Sequence, residues 1–177
     1  DPKGQPVVLR GVTFTNQVAS SVRIPRQHHG AIDYQNVADM GLNSVHFHFA
    51  PETLERADAP GRALKDGWKW LVDNVLWANS CGVRLVLHLR WSPGGTQTAD
   101  KAEQLWTDRG VQQRYVNLWR TIAERYRSVP TIAGFSLLHE PAVPEDIDQW
   151  QQLAERTIAA IRSVNPEHII FVERVHS

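Results

Sequence analysis

Cysteine, methionine and net charge are all scarce in this 177-residue chain. There is one cysteine and one methionine, and 19 Lys and Arg balance 19 Asp and Glu. The lone Cys81 excludes a disulfide within the chain. Its position just before Gly82, at an expected helix end, reads as a buried thiol. No basic run interleaves with aromatics, so the electrostatic footprint of a nucleic-acid binder is missing. The longest apolar runs are strand-sized, well short of the ~20 residues a membrane-spanning helix needs. The opening DPKGQPVVLRG lacks the charged and apolar regions of a secretory leader, while remaining compatible with a mature product of a precursor. Repeats, low-complexity tracts and an interdomain linker are also lacking, so residues 1–177 are expected to form a single domain able to bury a core. Tryptophan, by contrast, is plentiful at seven residues. Trp68, Trp70, Trp77, Trp119 and Trp150 lie on helical patterns and are assigned to the core. Trp91 follows a strand and is placed to face a ligand.

Four segments read as helices. They are 31–40, closed by Gly41; 66–81, with Leu71, Val75 and Ala78 on one face; 110–127, with Tyr115, Leu118, Trp119, Ile122 and Tyr126; and 145–164, with Ile147, Trp150, Leu153, Ile158 and Ile161. Between them lie the β-branched runs 7–14, 43–49, 83–89, 131–138 and 168–173. Whole crossover units separate successive strands, so an α/β fold is expected: about five parallel strands, right-handed connections and covering helices. The Pro/Gly/Ser-rich pieces 15–30, 50–65, 91–104 and 141–144 all follow strands. They form the loops at the C-terminal edge of the sheet, where α/β folds keep their chemistry.

Eight histidines occupy positions 28, 29, 46, 48, 88, 139, 168 and 176. All except His168 fall at strand ends or in the loops that follow, which gathers seven of them on one face. In SVHFHFAPE, residues two apart point the same way, roughly 6.6 Å apart at Cα, so His46 and His48 share a side and Phe47 and Phe49 take the other. LVLHLRWSPGG pairs His88 with Arg90 in the same manner. GFSLLHEP ends its strand in His139-Glu140, and HIIFVERVHS ends the next in Glu173 and His176. One reading is a polar rim of mutually bonded imidazoles and carboxylates that also binds substrate hydroxyls. The other is a metal site on His46, His48, His88 and His139, with Glu140 or Glu173 adding an oxygen. That donor set suits zinc, iron, manganese, nickel or copper. His28 and His29, in a long loop, are assigned to the surface.

The segments KGQPVVLRGVTF, MGLNSVHFHF, ANSCGVRLVLHLRWSPGGTQ, LWRTIAERYRSVPTIAGFSLLHEP and RSVNPEHIIFVE resemble, in order, the first five strand regions of glycoside hydrolase family 5, the cellulase- and mannanase-like (β/α)8 barrels. The resemblance implies a partial TIM-barrel-like sheet and a polysaccharide or oligosaccharide substrate. It also implies no required cofactor, and a secreted or periplasmic location. The family's fourth strand ends in Asn-Glu-Pro with the Glu as acid/base, so Glu140 inherits that role by position. The departures are specific. His46 stands where the family has an arginine, His88-Leu89-Arg90 where it has Asp-x-His, and His139 where it has the asparagine. The family's nucleophile ends a seventh strand, beyond the five present here.

A retaining glycosidase needs two carboxyl groups about 5–5.5 Å apart. Glu173 is the strand-end candidate for the second, against a structural role paired with Arg90 or a rim histidine. Five strands cannot close an eight-stranded barrel. A C-terminal barrel portion elsewhere, a homo-oligomer, or a flatter doubly wound sheet would each resolve that. Three functions follow. The first is a glycosidase using Glu140, with His46, His88, Arg90, Trp91 and His139 as substrate contacts. The second is a metal-dependent enzyme on the histidine cluster, and the third a non-catalytic carbohydrate- or partner-binding barrel.

Overall fold

Two glycines end the helices that precede the central strands, and they do so by the same device. Gly41 and Gly82 have φ of 74° and 69°, a left-handed conformation open to glycine at little cost. The amides of Gly41 and Leu42 bond back to Ala38 and Val37, and those of Gly82 and Val83 to Asn79 and Ala78. Each chain reversal therefore delivers the next segment directly into the sheet.

The computed structural model describes residues 6–18, 29–56, 58–93, 104–143, 146 and 148–175. In chain order these form β1 (Gly11–Phe14), α1 (Ala31–Asp39), β2 (Ser44–Phe49), α2 (Pro51–Leu54), β3 (Glu55–Arg56), β4 (Ala59–Ala63), α3 (Lys65–Ser80), β5 (Arg84–Leu89), α4 (Gln104–Thr107), α5 (Arg109–Tyr126), β6 (Ile132–Ser136), α6 (Asp148–Arg162) and β7 (Ile169–Phe171). All five expected strands and four expected helices are present, with ends moved by a few residues. The segment expected as loop 50–65 instead carries α2 and the antiparallel β3–β4 hairpin. Leu54 is fully buried there, and the Glu55 carboxylate anchors the hairpin by bonding Arg114 of α5 and the Gly61 amide.

Strands β1-β2-β5-β6-β7 form one sheet in sequential order, every pair parallel. Sequential order with right-handed crossovers puts the helices on one face only. The doubly wound alternative needs a reversal of strand order, and none occurs. On the helix side, Val45, Phe47, Phe49, Leu85, Leu87, Leu89 and Phe135 are fully buried, under Trp70 and Trp119 among others. Helix α5 brings its expected apolar face to this core, and Asp108 caps it by accepting from the Gly110 amide at 2.7 Å. Trp68, Trp119 and Trp150 are buried, and Trp70 and Trp77 pack against the core at its margin. Cys81 departs from expectation: it is partly exposed, with Sγ 3.7 Å from Gln35 Oε1. Among the described residues no helix covers the other face of the sheet, which carries His46, His48 and His88.

Candidate active site

Alternation along the strands sends His46, His48, His88 and Ser136 to the open face, opposite the apolar core. Register then decides how close they come. His48 pairs with His88 across β2–β5, and His88 with Ser136 across β5–β6. The ring centroids of His46, His48 and His88 lie 5.2, 4.2 and 4.4 Å apart pairwise. His139 stands 5.8 Å from His48 and 5.1 Å from His88. The sequence expectation of a gathered cluster therefore holds for these four. His28 and His176 lie outside the described residues, and His29 stacks on Phe14 at 3.8 Å, away from the cluster. His168, at the opposite end of its strand, bonds Asn165.

The rim is held in place by backbone bonds that continue the ladder past the strand ends. The Arg90 amide donates to Phe49, that of His139 to Leu89, and that of Leu137 to Phe171. Helix α5 grips the end of β6 from behind, since Tyr115 Oη and Trp119 Nε1 both donate to the Leu137 carbonyl, at 2.8 and 3.0 Å. Trp150 of α6 donates to the Glu173 carbonyl at 2.9 Å, and Asn16 to that of His48 at 2.9 Å. Composition marked these tryptophans only as core. Their indole N–H groups do a second job, and the polar carbonyl that each meets carries no sequence signature.

Glu140 is exposed, at φ 41°, a conformation uncommon outside glycine, asparagine and aspartate. Its amide donates to Glu173 Oε2 at 2.8 Å, and its own Oε2 lies 3.4 Å from His139 Nε2. The other Glu173 oxygen lies 3.7 Å from His88 Nδ1, which also contacts Ser136 Oγ at 2.8 Å. Glu173 thus joins a rim histidine rather than Arg90. Arg90 covers one face of Trp91 at 4.7 Å, and Trp91 Nε1 donates to the Val18 carbonyl at 3.2 Å. Ser136 escaped the sequence reading because a strand serine is ordinary. Only register shows that it meets an imidazole.

Burial dominates the electrostatics. His88 is fully buried and its pKa falls to about 2, through desolvation first and then the charges of His46, His48 and Arg90. Desolvation, with His46 and Arg90 behind it, takes His48 to about 4. His46 is lowered by burial and partly restored by Glu173. His46, His48 and His88 are therefore neutral imidazoles at physiological pH that resist protonation, with nitrogen lone pairs available to a hydroxyl or a metal. His46, His48 and His88 offer ring nitrogens within 4.8 Å of one another, as do His88, His139 and Glu173. A groove of about 630 Å³ runs along the open face between Thr13, His46, Ser136, Phe171 and Glu173.

Comparison with known proteins supplies the context for this mouth. A family model described as Cellulase (glycosyl hydrolase family 5) matches residues 1–176. Endoglucanase C of Acetivibrio thermocellus is 27% identical over 140 residues, spanning 79% of this chain and 40% of that protein. A beta-xylosidase of Phanerodontia chrysosporium is 31% identical over 143 residues, 76% of this chain and 29% of its own. The crystal structure of endoglucanase Cel5A from Thermotoga maritima superposes with a TM-score of 0.76 at 21% identity, covering 95% of this chain and 52% of that one. The chain thus spans less than half of these curated relatives and about half of the solved barrel. Parallel strands in sequential order and a family match across nearly every residue agree: this chain belongs to the cellulase family, glycosyl hydrolase family 5.

Proposed function

We propose that the chain carries the acid/base side of a glycosidase site acting on the O-glycosidic bonds of a β-linked glycan, with Glu140 as the general acid/base. The observation that carries this reading is how Glu140 is held. It sits at the end of β6, its carboxylate in solvent, its backbone fixed in an unusual conformation by the Glu173 carboxylate and its side chain beside His139. A group that must reach a bridging oxygen needs this combination of exposure and fixed origin. As the glycosidic C–O bond breaks, Glu140 gives its proton to the leaving oxygen and the anomeric carbon is taken by a carboxylate or by water. The second carboxylate of the reading is Glu173, which either meets the anomeric carbon or, through its bond to the Glu140 amide, orients the acid. His46, Arg90 and His139 line the rim as donors to sugar hydroxyls, and the Trp91 face opposite Arg90 is the stacking platform; His88, expected among these contacts, is fully buried and stands outside this set.

The related Cel5A structures with mannotriose and cellobiose support a polysaccharide or oligosaccharide as the ligand class. A polymeric substrate also favours a secreted or periplasmic location. Among the described residues, no helix is long and apolar enough to cross a membrane. The same reading requires added strands beside β1 and β7, from a C-terminal barrel portion or from a second copy.

The test is turnover of soluble β-glucans, mannans and aryl β-glycosides by the full chain and its Glu140→Gln variant. Loss of about 10²–10⁴-fold in kcat is expected for an acid/base residue. Equal turnover by the variant overturns the assignment. Glycan binding without turnover, unchanged by the substitution, favours the non-catalytic binder instead.

A further inference from the structure

The glycosidase reading leaves the buried imidazoles unexplained. Acid/base chemistry at Glu140 uses His139 and Glu173, whereas His48 and His88 lie deeper, at 6% and 0% exposure. Each carries a buried ring nitrogen without a hydrogen-bond partner, Nδ1 of His48 and Nε2 of His88. An unsatisfied buried polar atom costs roughly 1–3 kcal/mol, so two in one contact cluster call for an explanation.

We propose that His46, His48 and His88 form a three-nitrogen site for a divalent transition-metal ion, placed on the open face of the sheet behind the Glu140 rim. The strands preset it. His-x-His on β2 directs two imidazoles to one side, and the β2–β5 register sets His88 beside His48. The three offer nitrogens within 4.8 Å of one another. Tetrahedral coordination with bonds of about 2.0–2.1 Å needs nitrogens about 3.4 Å apart, which rotation of the rings supplies.

His88 also has the outer partner that metal-binding histidines use. Its Nδ1 contacts Ser136 Oγ at 2.8 Å and lies 3.7 Å from the Glu173 carboxylate. The negative charge on that side favours the tautomer with the proton on Nδ1, donating to Ser136 Oγ, which leaves the lone pair on Nε2, the nitrogen without a partner. The competing trio of His88, His139 and Glu173 is already engaged. Glu173 Oε2 takes the Glu140 amide, and His139 Nε2 lies beside the Glu140 carboxylate. His46 is half-buried and borders the groove, so an ion has a way in and a fourth position open to water or a substrate oxygen. Three imidazoles favour zinc, copper, nickel or cobalt over magnesium or calcium.

The test needs no activity, so it succeeds or fails separately from the glycosidase reading. Untagged full chain is stripped with chelator, titrated with zinc against a chromophoric competitor, and loaded with cobalt(II) for its visible spectrum. Saturable binding of about one ion per chain, with the intense cobalt bands of low coordination number, is expected. His48→Ala abolishes it. Ser136→Ala, which removes only an outer partner, weakens it by about 10–100-fold. If His48→Ala fails to fold, His46→Ala, at a half-exposed position, gives the same answer. No saturable binding in the parent chain overturns the proposal, as does wild-type affinity in His46→Ala. Loss confined to His139→Ala and Glu173→Gln also overturns it, because it assigns any ion to the other trio.

Discussion

At the scale of single residues, the site is a case of neutral imidazoles kept neutral by burial. In the unfolded chain His48 and His88 take a proton near pH 6.5; in the fold they resist it down to about pH 4 and about pH 2. Lowered folded pKa values mean that the associated stability is fully present above pH 6.5. It is lost as pH falls from there, because the unfolded chain binds protons that the folded chain refuses. Each such histidine contributes a slope of about 1.4 kcal/mol per pH unit between pH 6 and pH 4. The groups facing the pair are His46 and Arg90, which add to the effect, and His139 and Glu173 at the rim. Urea denaturation in chelator across that range is expected to show stability falling steeply with acid, and His48→Gln with His88→Gln to flatten the fall. An unchanged slope in the double variant would assign the acid sensitivity to other groups. Much of this cluster was legible in the sequence, because an H-x-H on a strand fixes two side chains to one face whatever else happens. Ser136 and the roles of Tyr115, Trp119 and Trp150 were not, since they depend on which neighbour a side chain meets. That is a property of register and helix placement, which no local pattern encodes.

At the scale of elements, the last strand is the weak link in the site. Strand β7 has three residues, two of them exposed, yet it leads straight into Glu173. It is held to β6 across Gly134, where a Cβ would stand 2.5 Å from the Ile169 carbonyl and 2.9 Å from the Phe171 ring. Close approach, not a turn, explains this glycine. Gly134→Ala is expected to push β7 outward at a cost of about 1–3 kcal/mol. Amide exchange should rise at Ile169–Phe171 and at Glu140, whose N–H depends on Glu173, while β2 and β5 stay protected. Wild-type exchange at Glu140 in a folded Gly134→Ala protein would refute the dependence. Long periodic elements were read almost to the residue, as α3 and α5 illustrate, because their apolar spacing and glycine stops act locally. The β3–β4 hairpin was missed for the opposite reason. Pro60 and Gly61 signal a turn, but what secures the hairpin is Glu55 bonding Arg114 from a helix 59 positions away.

At the scale of the whole molecule, the described residues form a five-stranded sheet that does not itself close, whereas the family's barrels are closed rings. A closed barrel has no edges, whereas among the described residues β1 and β7 each pair with a strand on one side only. The apolar exposure follows the edges: Val8 is 62% exposed beside β1, and Ile169 is 52% exposed on β7. Phe171 and Val172 extend the second patch into the groove on the open face. Edges of this kind pair with whatever strand is offered. For the 177-residue chain on its own, the strand at hand is a second copy, so reversible self-association through these edges is expected. Sedimentation velocity over a concentration series should show the mean mass rising with concentration. A charge aimed outward from an edge strand opposes such pairing. Ile169→Lys combined with Val8→Lys should therefore return the chain to a monomer with its helical circular dichroism intact, since neither side chain contributes to the buried core. A monomeric parent chain across the series would mean that the edges are protected by their own twist and brevity, and the self-association argument would fall. An oligomer indifferent to both lysines would move the contact away from the sheet to the helical face.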